Sequence, residues 1–279
     1  MTTMKKLLLL SLILTVFVST AQKRGKIKGN REVLIKKFDL PAFTALEAGE
    51  NFKIGIQKAT DTTRVVIETD DNLFDVIRFK VEEGILKFYT LMDIVKKKRL
   101  RVTVYIPNDF QKIKVIDKAK VFNDETLDFE TLSIETSNRG KVDLNLNIKK
   151  SINITGRDKS ELQLNLSGKK AKIYLTDNAI LNGNFGLSEA NIEAEKHAEI
   201  NLEGSLKELQ LKLKDKAKFD SEKLVIEKAD LKAFDKAVIN IKVTNTIEMS
   251  LFGETETFLF DRPKIILKAF DDHAALFKK

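Results

Sequence analysis

Two histidines, a recurring set of aspartates and one run of four cations are the residues of this 279-residue chain best suited to chemistry. His197 and His273 stand at the same place in a repeated turn, four repeats apart. If successive repeats stack at the strand spacing of about 4.8 Å, roughly 19 Å separates them, too far for a shared metal. Their expected role is that of solvated turn residues where lysine usually stands. Asp117, Asp158, Asp177, Asp215, Asp235 and Asp272 recur in register, and stacked carboxylates can hold calcium. Most are followed by a cation, as in Asp117-Lys118, Asp158-Lys159, Asp215-Lys216 and Asp235-Lys236, so charge-neutral turn ladders are the expectation. The glycine-rich calcium nonapeptide is absent. The densest basic run, Lys96, Lys97, Lys98 and Arg99, lies between two predicted strands. It reads as a solvated hairpin loop or, as the candidate binding surface, as a contact for anionic glycan or lipid headgroup.

Catalysis finds no support in these residues. A polysaccharide lyase on a β-helix would need carboxylates clustered beside an arginine or lysine base, whereas the arginines from Arg64 to Arg262 are few and scattered. There is no Ser-His-Asp arrangement, zinc motif or phosphate loop. The chain is therefore expected not to be an enzyme and to need no cofactor. With no cysteine it has no disulfide, no thiolate metal site and no residue for lipoprotein acylation. The formal charge is +8, but 41 acidic residues interleave with 49 basic ones. That is a mixed surface rather than a nucleic-acid footprint, so no nucleic-acid partner is expected.

The elements that must position these residues announce themselves by repetition. Ile, Leu, Val and Phe alternate with Lys, Asp, Glu and Asn along most of the chain, the two-residue period of strands. A turn phrase recurs: an acidic residue or Asn, a basic residue, a small residue, a polar one, an apolar one. The small residue falls at Ala119, Gly140, Ser160, Ala179, Ala198, Ala217, Ala237, Thr255 and Ala274, at steps of 18 to 21 residues. Apolar columns keep register with it, six residues before (Ile113, Ile134, Ile154, Ile173, Ile192, Leu211, Leu231, Met249) and two after (Val121, Val142, Leu162, Leu181, Ile200, Phe219, Ile239, Leu276). Thr257 breaks the second column, and one extra residue before Asp272 slips the last copy. Nine such coils would stack into a rod roughly 40 Å long. A β-meander of hairpins with the same period is the alternative. Phenylalanines gather late (Phe234, Phe252, Phe258, Phe260, Phe270, Phe277) and are expected as stacked core ladders, with a sugar-binding platform as the other reading.

Residues 22–110 lack the clean period but carry an ordered string: Phe43 to Ile56, then Val65-Val66-Ile67 and Asp70-Asp71-Asn72-Leu73. Val81 to Phe88 follows and, after the basic loop, Leu100 to Pro107. In order and spacing this resembles the head GIN domain family of putative autotransporter adhesins in exported Bacteroidota proteins, and the resemblance extends through the repeats. It implies a right-handed parallel β-helix and supplies no catalytic residues to carry over.

At the N-terminus, Lys5 and Lys6, the apolar stretch Leu7 to Val18 and Ser19-Thr20-Ala21 have the form of a cleaved signal peptide over residues 1–21. The apolar run is too short to span a bilayer. The expectation is thus an exported all-β protein: a head over 22–110 and a parallel β-solenoid over 111–279, without a transmembrane anchor, in the periplasm or at the cell surface. Its expected function is non-enzymatic binding of a glycan or an envelope protein. The alternatives are an envelope scaffold self-associating through its end coils and, third, a carbohydrate-active β-helix enzyme.

Overall fold

The computed structural model describes residues 24–279; the signal-peptide expectation for residues 1–21 lies outside them. The head comprises β1 (Lys26–Lys28), β2 (Val33–Asp39), β3 (Ala45–Ala48), β4 (Lys53–Lys58), β5 (Arg64–Asp70), β6 (Ile77–Glu82), β7 (Ile85–Thr90), β8 (Asp93–Lys96) and β9 (Leu100–Ile106). The coils follow as β10 (Lys112–Val115), β11 (Lys120–Phe122), β12 (Leu127–Thr136), β13 (Lys141–Gly156), β14 (Glu161–Leu175) and β15 (Ile180–Ala194). They continue through β16 (Glu199–Leu213), β17 (Lys218–Ala233), β18 (Val238–Leu251), β19 (Glu256–Phe260), β20 (Lys264–Phe270) and β21 (Ala275–Lys278). There is no α-helix among the described residues, only a 3-10 turn at Asp71–Asp75.

Every coil-to-coil pairing is parallel, and between local bulges the repeat columns stay in register, as in Ile154↔Ile173, Ile173↔Ile192 and Ile192↔Leu211. The hairpin meander therefore does not occur, and the fold is a parallel β-solenoid of about nine turns. Register explains the columns: a residue's side chain meets its equivalent one coil away, so each inward position must stay apolar along the whole stack. Ile113, Ile134, Ile154, Ile173, Ile192, Leu211, Leu231 and Met249 are all buried.

The turn phrase has an equally direct cause. In eight of the nine turns the small residue's N–H bonds to the carbonyl three residues earlier, as from Ala119 to Ile116 at 3.2 Å and from Gly140 to Ser137 at 2.9 Å. The second turn residue is left-handed: φ is +59° at Asp117, +59° at Asn138, +58° at Asp158, +64° at Asp177 and +57° at Asp215. Asp and Asn tolerate that region better than other non-glycine residues. At Gly253, φ +77°, glycine takes the same place without a steric cost. The small column is buried from Ala119 to Thr255, where a larger side chain would meet its neighbours above and below.

The stack also extends into the head. β3 and β4 pair in parallel with β10 and β11 (Val115↔Ala48, Val121↔Ile54), so residues 45–58 form a coil of their own. Glu50 stands in the turn column there, with φ +54°, and Lys118 donates its N–H to the Glu50 carbonyl at 2.9 Å. On its other side this coil pairs with β7 and β9. β5 then joins β9 antiparallel, and β2 joins β5, closing that end of the stack.

The opposite end is open. A bulge between Leu267 and Ala269 is the physical form of the extra residue before Asp272, and Ile265, Leu267, Phe270 and Phe277 are exposed there. The late phenylalanines correct the expectation of core ladders. Phe234 and Phe252 stack at 5.2 Å, and Phe258 and Phe277 at 5.0 Å, but both ladders lie on outward-facing positions and none of the four rings is buried.

Candidate binding surfaces

The basic run sits where three segments are tied together. β1 pairs with β8 (Lys28↔Lys96), and the Gly29 N–H bonds the Lys96 carbonyl at 2.8 Å. Asp70, at the end of β5, is fully buried. Its carboxylate accepts the backbone N–H groups of Lys98 (3.0 and 3.1 Å), Arg99 (3.1 Å) and Arg31 (3.2 Å). Burial alone would raise the Asp70 pKa, but these N–H donors and the neighbouring Lys98 charge outweigh it and hold the group below its ordinary value. Asn72 completes the clamp by donating to the Lys28 carbonyl at 2.8 Å and accepting from the Asn30 N–H at 2.9 Å. The Asp70-Asp71-Asn72 phrase therefore locks two basic loops together. Gly29 is required for it: a Cβ there would fall 1.9 Å from Asp70 Oδ2.

The result is a cleft of about 680 Å³ lined by Lys28, Gly29, Arg31, Lys96, Lys97 and Lys98. Of the four cations in the run, Arg99 turns away to Glu68 at 3.3 Å, whereas Lys96, Lys97 and Lys98 line the cleft. Sequence reading missed Lys28 and Arg31, which join the run from a distant stretch of chain. None of the five lining cations has a carboxylate within ion-pair distance among the described residues.

A second surface lies on one long face of the solenoid. Outward positions three and five residues after the small residue stack as Asp143↔Gln163↔Asn182↔Asn201↔Asp220↔Asn240 and Asn145↔Asn165↔Asn184↔Glu203. The amides bond along the columns, Asn165 to Asn145 at 2.7 Å and Asn201 to Asn182 at 2.9 Å. Between the columns a depression of about 490 Å³ opens beside Gly183. These columns could have been found by reading the outward positions of the repeat as carefully as the inward ones.

The aspartate column is fully occupied with structural work. Asp158 Oδ2 accepts the Asn138 N–H at 2.9 Å, Asp215 Oδ2 that of Lys196 at 2.9 Å, and Asp235 Oδ2 that of Asp215 at 3.1 Å. The Asp177 pKa lies below its ordinary value, chiefly through the Lys196 ammonium at 2.7 Å and then the Asp158 N–H. His197 and His273 occupy the neighbouring turn position, their backbone N–H groups bonded to the carbonyls of Asp177 and Gly253 one coil away. Among the described residues no three His, Asp or Glu side chains converge as a metal site. A further cleft of about 690 Å³ near β4 contains Lys58, whose amine lies 4.2 Å over the Phe129 ring and whose pKa burial pulls down. Two of its carboxylates are already engaged, Asp128 by Asn147 at 2.7 Å and Glu130 by Lys149 and Lys150.

Comparison with known proteins agrees with this architecture. The model of the family described as putative auto-transporter adhesin, head GIN domain, matches residues 42–152 and again 149–263. Among solved structures, a putative adhesin from Parabacteroides merdae superposes with a TM-score of 0.64 at 13% identity, covering 91% of this chain and 99% of its own. A putative adhesin from Parabacteroides distasonis gives 0.61 at 13% identity, covering 91% and 100%. A putative lipid binding protein from the same organism gives 0.58 at 14%, covering 91% and 99%. At these identities the likeness is one of fold. No curated protein matches the chain.

Proposed function

The chain belongs to the head GIN domain family of putative auto-transporter adhesins, and from that premise we propose that it is an exported, non-enzymatic binding module that contacts a glycan or an envelope protein. The observation that carries this reading is the in-register amide face. An amide has two donor hydrogens and a carbonyl with two lone pairs, so a column bond such as Asn201 to Asn182 leaves further donors and acceptors directed at solvent. Repetition from coil to coil multiplies weak contacts along an extended partner, as a chain of sugar hydroxyls would require. Export rests on the signal-peptide form of residues 1–21. The test is retention on a glycan array: the purified protein is expected to bind saturably, and the Asn182→Ala/Asn201→Ala double variant to lose most of that signal while keeping its melting temperature. Equal retention by the variant would remove the amide face from the account.

A second reading, self-association as an envelope scaffold, is favoured by the apolar open end at Ile265, Leu267, Phe270 and Phe277, because an unpaired strand edge with exposed apolar side chains invites pairing.

A further inference from the structure

We propose that the head end of the solenoid docks on the surface of an anionic phospholipid bilayer, the five cations of the cleft receiving lipid phosphates while Ile35 and Val95 enter the interface. Lys28, Arg31, Lys96, Lys97 and Lys98 converge on one opening and form no ion pairs among the described residues; the buried Asp70 carboxylate offsets one of the five charges, and the excess creates a positive potential. The buried Asp70 carboxylate and the Asn72 amide hold both loops by their backbone groups, leaving the lysine side chains free for a ligand.

Charge alone would suit any polyanion; the apolar residues select the bilayer. Large apolar side chains that remain exposed are concentrated at the two ends of the stack. Leu34, Ile35, Leu91 and Val95 lie in the head, and Ile265, Leu267, Phe270 and Phe277 in the last coil. At the head end they accompany a cleft that gathers five cations without ion pairs among the described residues. Val95, 46% exposed, immediately precedes Lys96. Ile35, 62% exposed, pairs directly opposite Glu68, whose carboxylate holds Arg99. β2, which carries Ile35, is the outermost strand at this end, paired only with β5. A soluble glycan offers such aliphatic side chains no apolar phase, whereas a headgroup layer over acyl chains accepts both kinds of residue. Docking at this end would stand the solenoid on the membrane and leave its long faces free. The proposal is independent of the amide face, so either can fail without the other.

The test is flotation of the purified protein with vesicles of phosphatidylcholine alone or of phosphatidylcholine mixed with phosphatidylglycerol, beside retention on a soluble sulfated polysaccharide. Of the two vesicle types only the mixed one is expected to bind, and binding should fall with added salt. The Lys96→Gln/Lys97→Gln/Lys98→Gln variant should bind roughly a hundredfold more weakly, at about a fivefold loss for each of the three charges. The Ile35→Ser/Val95→Ser variant, which keeps every cation, should weaken vesicle binding without changing retention on the polysaccharide. Equal binding to both vesicle types, no binding to either, or vesicle binding untouched by the lysine changes would overturn the proposal. An Ile35→Ser/Val95→Ser variant that binds vesicles normally would show that charge alone accounts for the binding, so that nothing selects a bilayer over another polyanion, and would overturn it too. Melting temperatures of the variants report whether each is folded.

Discussion

The Asp158 carboxylate accepts the backbone N–H of Asn138 across the coil boundary at 2.9 Å, and the N–H of Asp158 is in turn bonded by Asp177 Oδ2 at 3.3 Å. Asp215 and Asp235 repeat the arrangement at 3.1 Å, and Glu50 and Asp117 begin it at 3.1 Å. A residue chosen for its tolerance of a left-handed backbone thus also ties each turn to the one before it. Where Lys196 and Gly253 interrupt the column, no carboxylate is available to the preceding N–H, and the Lys196 ammonium pairs with Asp177 instead.

Asp158→Ala removes the acceptor and places a Cβ without a compensating polar group at φ +58°, with an expected loss of about 1–2 kcal/mol. Asp158→Gly keeps the backbone easy but still lacks the acceptor, so the difference between the two variants isolates the left-handed strain. Thermal or urea unfolding measures both. Equal stability of Asp158→Ala and the parent would mean that the carboxylate contributes nothing.

Asp70 predicts an acid-sensitive head. Its folded pKa lies below the unfolded value of about 3.9, so its stabilising contribution is present in full above that value and is lost as pH falls through the folded one. Amide exchange at Lys98 and Arg99 should be slow near neutrality, with protection declining below about pH 4. Asp70→Asn should open the loop at neutral pH at a cost of about 2 kcal/mol, roughly thirtyfold in exchange protection, and abolish the acid dependence at these two amides.

Gly140 interrupts a column otherwise composed largely of alanine, for a steric reason. A Cβ there would lie 2.6 Å from both Thr136 Oγ1 and the Val115 carbonyl oxygen. Gly140→Ala should therefore destabilise by about 1–3 kcal/mol through overpacking, although the same substitution usually helps where the backbone is ordinary. Calorimetric melting decides it; a raised melting temperature would show that the turn relaxes at no cost.

Leu267 tests the scaffold reading. It is 51% exposed on the last coil, so Leu267→Glu should abolish any concentration-dependent dimers seen by light scattering and leave the monomer's unfolding within about 0.5 kcal/mol of the parent. Dimers that persist in the variant would locate the contact elsewhere.

The repeat was legible because parallel, in-register stacking turns three-dimensional columns into a one-dimensional period. The inward isoleucines, the small residues and the left-handed Asp positions all recur about every 19 or 20 residues, so position in the sequence stood for position in the coil. The late phenylalanines were legible as ladders but not as to side, since Phe258 and Phe277 occupy the outward phase of their strands. The turn at Glu50 escaped notice because 67 residues separate it from Asp117 and Phe52 fills the place of the small residue. Within those 67 residues the chain leaves the stack to form the antiparallel strands that close its end. The basic cleft divides in the same way. Lys96 to Arg99 could be read as a cationic run because its members are neighbours in sequence. That Arg99 turns to Glu68, while Lys28 and Arg31 join the three lysines, was decided by a buried carboxylate at Asp70 that binds N–H groups from two distant loops. Local composition determines the period of a stacked fold; only tertiary hydrogen bonding brings together residues that no period connects.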